Sequence, residues 1–238
     1  MILKKIKKKI RTLWFGFDKS SQYFSQGGED AILRSIFYEK SKRGEKGFFV
    51  DVGAYHPYVH SNTYFFYIRG WQGINIDACP GSMALFNQFR PRDINLEIGI
   101  GDRKGVSTYY LLDKTSTMNS FSKDNLSEHG MIEHVKEEME IEMTTLEAIF
   151  TKYSDQFTTI DFLSIDVEGF DYEVLKSNNW NRFKPSVIVV ELNCKDINDI
   201  QENISAQFLQ SLGYQFIAKN VIMKNVASVF FVVEGFDY

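Results

Sequence analysis

The stretch Phe48-Phe49-Val50-Asp51-Val52-Gly53-Ala54 decides how this chain folds. Its first five residues are mostly apolar and stop at a glycine, which is the pattern of a strand buried on both faces of a parallel sheet. A glycine at that point lets the backbone approach a ligand closely, and a following helix can direct free N–H groups at the ligand. The stretch therefore predicts a parallel sheet with a ligand site where this strand ends.

Predicted strands and helices alternate along most of the chain. Strands are predicted over residues 48–52, 73–77, 94–100, 105–112, 140–144, 160–166, 187–192, 214–218 and 228–233. Helices are predicted over residues 26–39, 62–69, 81–89, 146–153, 171–176 and 201–212. This order favours an α/β, Rossmann-like, doubly wound sheet that is mostly parallel. A turn near residues 219–225 predicts an antiparallel C-terminal strand. Doubly wound sheets bind their ligands beyond the carboxyl ends of the parallel strands.

The composition fits one domain over residues 22–238. The chain has 238 residues, of which 44% are hydrophobic, and its four prolines mark no linker, so it can bury a full core. Cys79 and Cys194 have no metal-ligand spacing around them, which disfavours a zinc site or a disulfide framework. Reduced thiols in turn favour a cytoplasmic location. No apolar run is long enough to span a bilayer, and a signal peptide is not expected.

The N-terminus is strongly basic. Six of the first eleven residues are Lys or Arg, and apolar residues recur between them at helical spacing, so residues 1–21 are predicted to form a basic amphipathic helix. Such a helix can associate weakly with the anionic inner face of a membrane. The alternative, which we favour slightly, is a solubilising helix packed on the acidic body. Nucleic-acid binding is not expected, because the whole chain has 31 acidic against 27 basic residues and repels phosphate.

An acid ends the second predicted strand. Asp77 lies 24 residues after Gly53, close to the spacing of about 20 residues at which nucleoside-binding sheets place an acid after the glycine turn. A carboxylate there accepts hydrogen bonds from the two hydroxyls of a ribose. Together Gly53 and Asp77 predict a ligand that carries a ribose.

Further polar side chains gather at the ends of two later strands. Asp166 and Glu168 flank one apolar residue, and on an extended strand residues two apart face the same side, so the two acids are predicted to converge. Glu191 and Asn193 end the next strand. Asp166, Glu191 and Asn193 form an oxygen-rich set suited to Mg²⁺. Direct contacts to the amino group of a cofactor or to a sugar hydroxyl are the alternative, which we favour.

Histidines follow the glycine turn. His56 could take the proton of an attacking hydroxyl, because the ordinary pKa of histidine lies near the operating pH. An equal alternative is a loop residue that precedes a helix, and for His60 this second interpretation is preferred. Asp166, Glu168 and His56 are thus the predicted catalytic residues.

Five motifs together resemble those of the FkbM-type methyltransferases, over residues 22 to 193. They are Ser25-Gln26-Gly27-Gly28-Glu29-Asp30, Phe49-Val50-Asp51-Val52-Gly53-Ala54, Ser61-Asn62-Thr63, Gly70-Trp71-Gln72-Gly73-Ile74 and Ile165-Asp166-Val167-Glu168-Gly169. The resemblance implies a class I methyltransferase fold, S-adenosylmethionine (SAM) as methyl donor, and O-methylation of a sugar or glycosylated acceptor, as in surface-glycan biosynthesis.

The resemblance also implies the cofactor contacts. Asp51, Gly53 and Ala54 would hold the methionine end of SAM, Asp77 the ribose, and Asp102 would lie near the adenine. Gln26 belongs to the same predicted set. The loop after Ala54 departs from the pattern of many SAM-dependent enzymes, since Tyr55-His56-Pro57 replaces further glycines and proline lacks an N–H donor.

Two other classes of protein stay open. A nicotinamide-dependent oxidoreductase is disfavoured, because the chain lacks a GxGxxG motif and ends in an antiparallel strand. A non-catalytic SAM- or glycan-binding module would be expected to lose the acids at the strand ends, which are all present. The polar stretch 114–134 is predicted to cover the active site and to set specificity, as loops on a rigid sheet commonly do.

Overall fold

The protein is described by a computed structural model over residues 22–238. The predicted N-terminal helix lies outside these described residues. The strands are β1 (Phe48–Val52), β2 (Gln72–Asp77), β3 (Ile94–Glu97), β4 (Gly99–Ile100), β5 (Gly105–Leu111), β6 (Glu137–Thr144), β7 (Phe162–Ile165), β8 (Val187–Asn193), β9 (Tyr214–Met223) and β10 (Val226–Val233). The helices are α1 (Glu29–Ile36), α2 (Tyr38–Lys42), α3 (Tyr64–Tyr67), α4 (Met83–Phe89), α5 (Lys123–Glu128), α6 (Leu146–Lys152), α7 (Asp171–Lys176), α8 (Ile197–Glu202) and α9 (Ile204–Ser211).

Seven strands form one sheet in the order β3-β2-β1-β7-β8-β10-β9. The neighbours from β3 to β8 are parallel, whereas β10 is antiparallel to both β8 and β9. The predicted α/β, doubly wound, mostly parallel sheet with an antiparallel C-terminal strand is therefore confirmed. The strand order reverses between β1 and β7, which is where such sheets bind their ligands.

β1 is buried on both faces, as its unbroken apolar pattern predicts. On one face Phe49 packs with Phe162 in an aromatic layer. On the other face Val50 and Val52 belong to the main core, which extends across the sheet to β10. Replacing a fully buried aromatic such as Phe49 by alanine typically costs about 3–5 kcal/mol. The core thus fixes the strand whose end forms the site.

Several predicted strands are wrong in their extent. β6 begins at Glu137, and β9 continues to Met223, so that the turn before β10 lies at residues 224–225. The stretch 94–100 divides into β3, in the main sheet, and β4, in a three-stranded sheet of order β4-β6-β5. At the division the Ile98 N–H donates to the carbonyl oxygen of Asp77, and the chain then leaves the main sheet. The small sheet stands beside the carboxyl ends of the main strands and contributes Gly99 and Ile100 to the site.

Several predicted helices are shorter than expected or divided. The helix at 26–39 begins only at Glu29, because Gly28 takes a left-handed conformation with φ 100°, and it gives way to α2. The helix at 62–69 is the four-residue α3. The helix at 201–212 is divided into α8 and α9, where the Asn203 side chain caps α9. None of the helices within residues 22–238 has the length and apolarity needed to cross a lipid bilayer.

Candidate active site

A cavity of about 290 Å³ lies where the strand order reverses, a volume near the lower end of the range of small-molecule sites. The ends of three strands line it, with Gly53 after β1, Asp77 on β2 and Asp166 after β7. We call it the main cavity. Residues 114–121 also line it, so the first part of the polar stretch 114–134 borders the cavity.

At Gly53 the backbone after β1 lies against the backbone after β7. This glycine has φ 81°, and a Cβ at this position would overlap the backbone carbonyl oxygen of Asp166. The N–H groups of Gly53 and Ala54 both donate to the carbonyl oxygen of Ile76. They are thus engaged within the protein, while the buried Ala54 side chain packs on Met83 of α4. Gly53 lines the main cavity and Ala54 does not.

The Asp77 carboxylate is fixed at the cavity wall by two backbone donors. The Tyr55 N–H donates to Oδ2 over 2.9 Å and the Cys79 N–H to Oδ1 over 2.7 Å. Burial raises the pKa of Asp77. Each carboxylate oxygen has two lone pairs, so both can accept a further hydrogen bond from a ligand. This geometry suits the ribose diol that the sequence predicts.

Apolar side chains line the part of the cavity beside Asp77. Leu85, Ile98, Ile100 and Tyr109 contribute to this wall. Cys79 is part of it as well, and burial raises the pKa of its thiol to about 11, so the thiol is uncharged. A flat heteroaromatic ring such as adenine fits an apolar wall next to a ribose-binding acid.

Three acids converge on the other side of Gly53. Asp166, Glu168 and Glu191 each place one carboxylate oxygen within 4.8 Å of the others, and we call them the carboxyl cluster. Asp166 and Glu168 do converge as predicted, but not because the strand stays extended. β7 ends at Ile165, and Glu168 takes a left-handed conformation with φ 54°.

Burial and mutual repulsion determine the charge of the carboxyl cluster. Burial, with a contribution from neighbouring acids, raises the pKa of Asp166 to about 7. The same causes, burial first, raise the pKa of Glu168 and of Glu191. Close carboxyl groups share protons in this way, because a second negative charge is costly beside the first. At neutral pH, Asp166 is therefore the member poised between its two protonation states.

Glu168 joins two members of the predicted oxygen-rich set, Asp166 and Glu191. The structure brings Asp166 and Glu191 together with Glu168, and three carboxylates are suitable ligands for a hard divalent ion. Asn193, the third member of the predicted set, lies near these acids, since it lines a cleft of about 30 Å³ together with Glu168 and Glu191. We call this the Asn193 cleft. The prediction of a cation at this position stays a prediction.

Glu168 also lines a second cleft. This cleft has a volume of about 50 Å³ and is lined by Gln26, Glu29 and Asn62, among others. We call it the Gln26 cleft. Gln26 is not among the residues that line the main cavity, but it shares this cleft with Gly53, another of the predicted cofactor residues.

Two more predicted cofactor residues lie outside the lining of the main cavity. Asp51 is buried, and its Oδ2 accepts a hydrogen bond of 2.9 Å from Thr63. Burial raises the pKa of Asp51, and the nearby Arg90 opposes that shift. Asp102 is partly exposed and lies 3.6 Å from the Lys176 ammonium. Asp51 thus forms a buried hydrogen bond away from the cavity lining, and Asp102 forms an ion pair at the surface.

His56 lines the main cavity, but one of its nitrogens is occupied. The N–H groups of Tyr58 and Val59 both donate to Nδ1, over 3.3 and 3.1 Å. Burial lowers the pKa of His56, so the neutral ring carries its proton on Nε2. A ring in this tautomer donates a hydrogen bond to a ligand and does not take a proton from one.

Two acids that the sequence reasoning did not single out support the site. Asp171 is buried and accepts hydrogen bonds from the N–H groups of Val167 and Gly169, which shapes the turn that carries Glu168. Glu29 accepts from Asn220 and Ser228 on β9 and β10, over 2.9 and 3.2 Å. The start of α7 was the only sequence signal for Asp171, and the motif at residues 25–30 was the only one for Glu29.

The mostly parallel sheet with the reversed β10 has the class I methyltransferase fold that the sequence predicts. A family model described as the methyltransferase FkbM domain matches residues 51–216, which is more than half of the chain. The chain belongs to the FkbM methyltransferase family and is a SAM-dependent methyltransferase.

Solved structures with a similar fold include two methyltransferases. One is a TehB-like SAM-dependent methyltransferase from Corynebacterium glutamicum ATCC 13032 Kitasato, with 12% identity and a TM-score of 0.42 over 95% of this chain and 97% of that chain. The other is a putative RNA methyltransferase from Pyrococcus horikoshii, with 10% identity and a TM-score of 0.38 over 85% of this chain and 84% of that chain. A search of curated proteins returned no match.

Proposed function

We propose that this chain methylates a hydroxyl of a sugar or glycosylated acceptor, with SAM as the donor, in surface-glycan biosynthesis. The position of two acidic side chains supports the proposal. Asp166 and Glu168 line the main cavity, and they belong at the same time to the carboxyl cluster. A group able to take a proton therefore lies directly beside the cavity that suits a nucleoside cofactor.

The main cavity fits SAM in its polarity. Asp77 would hold the ribose hydroxyls, the wall around Ile100 and Tyr109 would enclose the adenine, and Gly53 would allow the methionine end to pass close to the backbone. SAM, when bound, supplies an electrophilic methyl group on its sulfonium sulfur. The task left to the protein is to align an acceptor oxygen with that methyl group and to exclude water.

A hydroxyl acceptor needs a base, because its oxygen becomes a good nucleophile only as the proton leaves. Asp166 meets this need, since its pKa is raised by burial to about 7, near the pH at which a general base is most effective. Glu168 and Glu191 hold their protons more firmly, because burial and neighbouring acids raise the pKa of both. Their protonated carboxyl groups can donate hydrogen bonds to hydroxyls of the acceptor.

Transfer of labelled methyl from SAM to defined acceptors tests the proposal. The panel holds neutral hexosides, an aminohexoside, a glucuronide and a primary amine, and each product is assigned by mass spectrometry and NMR. We expect a methyl ether on at least one sugar. Methylation of nitrogen alone, or SAM binding without transfer to any sugar, would contradict the proposed reaction; the second result would favour a non-catalytic binding module.

A further inference from the structure

The two clefts beside the carboxyl cluster differ in their connection to the main cavity. Five of the residues that line the Gln26 cleft also line the main cavity, namely Gly53, Tyr55, Thr117, Asp166 and Glu168. The Asn193 cleft shares only Glu168 with it. A group seated in the Gln26 cleft therefore borders both Asp166 and the cofactor position.

Contacts between distant segments build the walls of the Gln26 cleft. Glu29, which is 2% exposed, joins the turn at residues 24–30 to the C-terminal hairpin through Asn220 and Ser228. Asn62 also lines the cleft, and its amide donates to the Ser164 hydroxyl over 3.0 Å. These hydrogen bonds fix the position of the cleft relative to Asp166.

A stacked pair of rings lies on the side of the cleft next to the main cavity. The rings of Tyr55 and His60 lie 6.0 Å apart at an interplanar angle of 24°. Both residues have φ 53°, a left-handed conformation that is uncommon outside glycine. Such backbone strain is found preferentially at ligand sites.

The lining of the cleft suits an uncharged sugar. Gln26, His60 and Thr117 offer amide, imidazole and hydroxyl groups, which pair with hydroxyls as both donors and acceptors. The volume of about 50 Å³ holds only a few water-sized groups, and so admits one edge of a sugar ring. A negatively charged acceptor would meet the carboxyl group of Glu29, which lines the cleft, and would be repelled by it.

We infer that the Gln26 cleft is the acceptor subsite, where Gln26 and His60 select one hydroxyl-bearing edge of an uncharged sugar ring. This inference rests on the proposed function and assigns Gln26 to the acceptor rather than to the cofactor. His60, interpreted from the sequence as a loop residue, becomes a specificity-determining residue.

Kinetics with a neutral hexoside that the native protein methylates test the assignment. Gln26→Ala and His60→Asn are compared with native protein, since asparagine tolerates the left-handed conformation of residue 60. Each substitution removes hydrogen bonds to the acceptor, so we expect its KM for the hexoside to rise about tenfold, while the KM for SAM changes less than twofold. Met223→Ala, in the Asn193 cleft, is the matched control and should change neither constant.

A charge substitution provides a second measurement. Native protein should have a higher kcat/KM for the neutral hexoside than for the corresponding glucuronide. Gln26→Lys should lower the ratio of the first value to the second. An unchanged ratio in that variant, together with native constants for Gln26→Ala, would overturn the inference.

The remaining outcomes are distinguishable. If the native protein methylates no sugar, the proposed function itself fails. If it methylates a sugar but Gln26→Ala raises only the KM for SAM, the cleft belongs to the cofactor and the inference is overturned. A rise in the acceptor KM with Met223→Ala, in place of Gln26→Ala, would put the acceptor in the Asn193 cleft and would overturn it equally.

Discussion

Gly53, after β1, stands against the backbone carbonyl oxygen of Asp166, after β7, so closely that a side chain at residue 53 would overlap that oxygen. This contact joins the wall of the main cavity to the carboxyl cluster. Any widening between the two strand ends would move the base away from the position that the cofactor's methyl group must occupy.

Gly53→Ala tests this contact. The left-handed conformation alone costs an alanine roughly 1–2 kcal/mol, and the overlap with Asp166 adds to that cost. We expect weaker SAM binding by calorimetry and a lower free energy of unfolding. Gly44→Ala is the matched control, because Gly44 has φ 76° and a Cβ added there would meet no atom within 4 Å. This variant should lose only the stability that the left-handed conformation costs an alanine, and it should bind SAM with native affinity. Equal behaviour of the two variants would contradict the contact's role.

Asp77→Asn tests the assignment of the ribose. A hydrogen bond to a charged group contributes about 1.5–3 kcal/mol, so we expect the Kd of SAM and of S-adenosylhomocysteine to rise by about tenfold to a hundredfold. Glu97→Gln, at the end of the neighbouring β3, should bind both ligands as the native protein does. Native affinity in Asp77→Asn would remove Asp77 from the cofactor site.

The raised pKa values of the buried acids predict how stability depends on pH. Burial raises the pKa of Asp166 and, more strongly, that of Glu191 above the values of the unfolded chain. Stability from such groups is complete below the unfolded pKa, near 4, and is lost as the pH rises through the folded pKa. The free energy of unfolding, measured by denaturant titration, should therefore fall between about pH 5 and pH 9.

Glu191→Gln should flatten this fall, because the substituted side chain has no proton to lose. The exposed Glu142 on β6 supplies the control, since Glu142→Gln should keep the native slope. A native protein whose stability rises over this pH range would show that the carboxyl cluster is ionised in the folded state.

Removal of divalent cations by chelation distinguishes two roles of the carboxyl cluster, which are direct contact with the acceptor and coordination of a metal ion. We expect turnover to survive exhaustive treatment with EDTA. The buried acids limit their negative charge by binding protons, so they need no cation, and they can contact the acceptor directly. Loss of turnover that Mg²⁺ restores would instead assign Asp166, Glu168 and Glu191 as metal ligands. The titration of Mg²⁺ into Glu191→Gln would then show weaker restoration than into native protein.

The fold was predictable where local pattern decides it. The apolar runs of β1, β7 and β8 can be buried only in the middle of a sheet, and Gly53 and Asp77 follow from their places at strand ends. Because parallel strands end at one edge, the meeting of Asp166 with Glu191 was predictable as well.

The remaining features depend on contacts between segments far apart in the chain. The hydrogen bonds from the C-terminal hairpin to Glu29, which lines the same cleft as Gln26, join segments far apart in the chain, and no local pattern indicates them. The left-handed turn at Glu168 depends on N–H donors held by Asp171, and so the sequence predicted the convergence of the acids for the wrong reason. The stretch 94–100 reads as one strand because its apolar pattern does not show a change of sheet.

The decisive variant is Asp166→Asn, measured for turnover and for SAM affinity in the same preparation. Removing a general base typically lowers the rate by about 10²–10⁴-fold, so we predict turnover on the methylated hexoside to be lost by that factor. The Kd of SAM should stay within a few-fold of the native value, because Asp77 and the apolar wall are untouched. Native turnover in Asp166→Asn would contradict the assignment of Asp166 as the group that takes the proton of the acceptor hydroxyl.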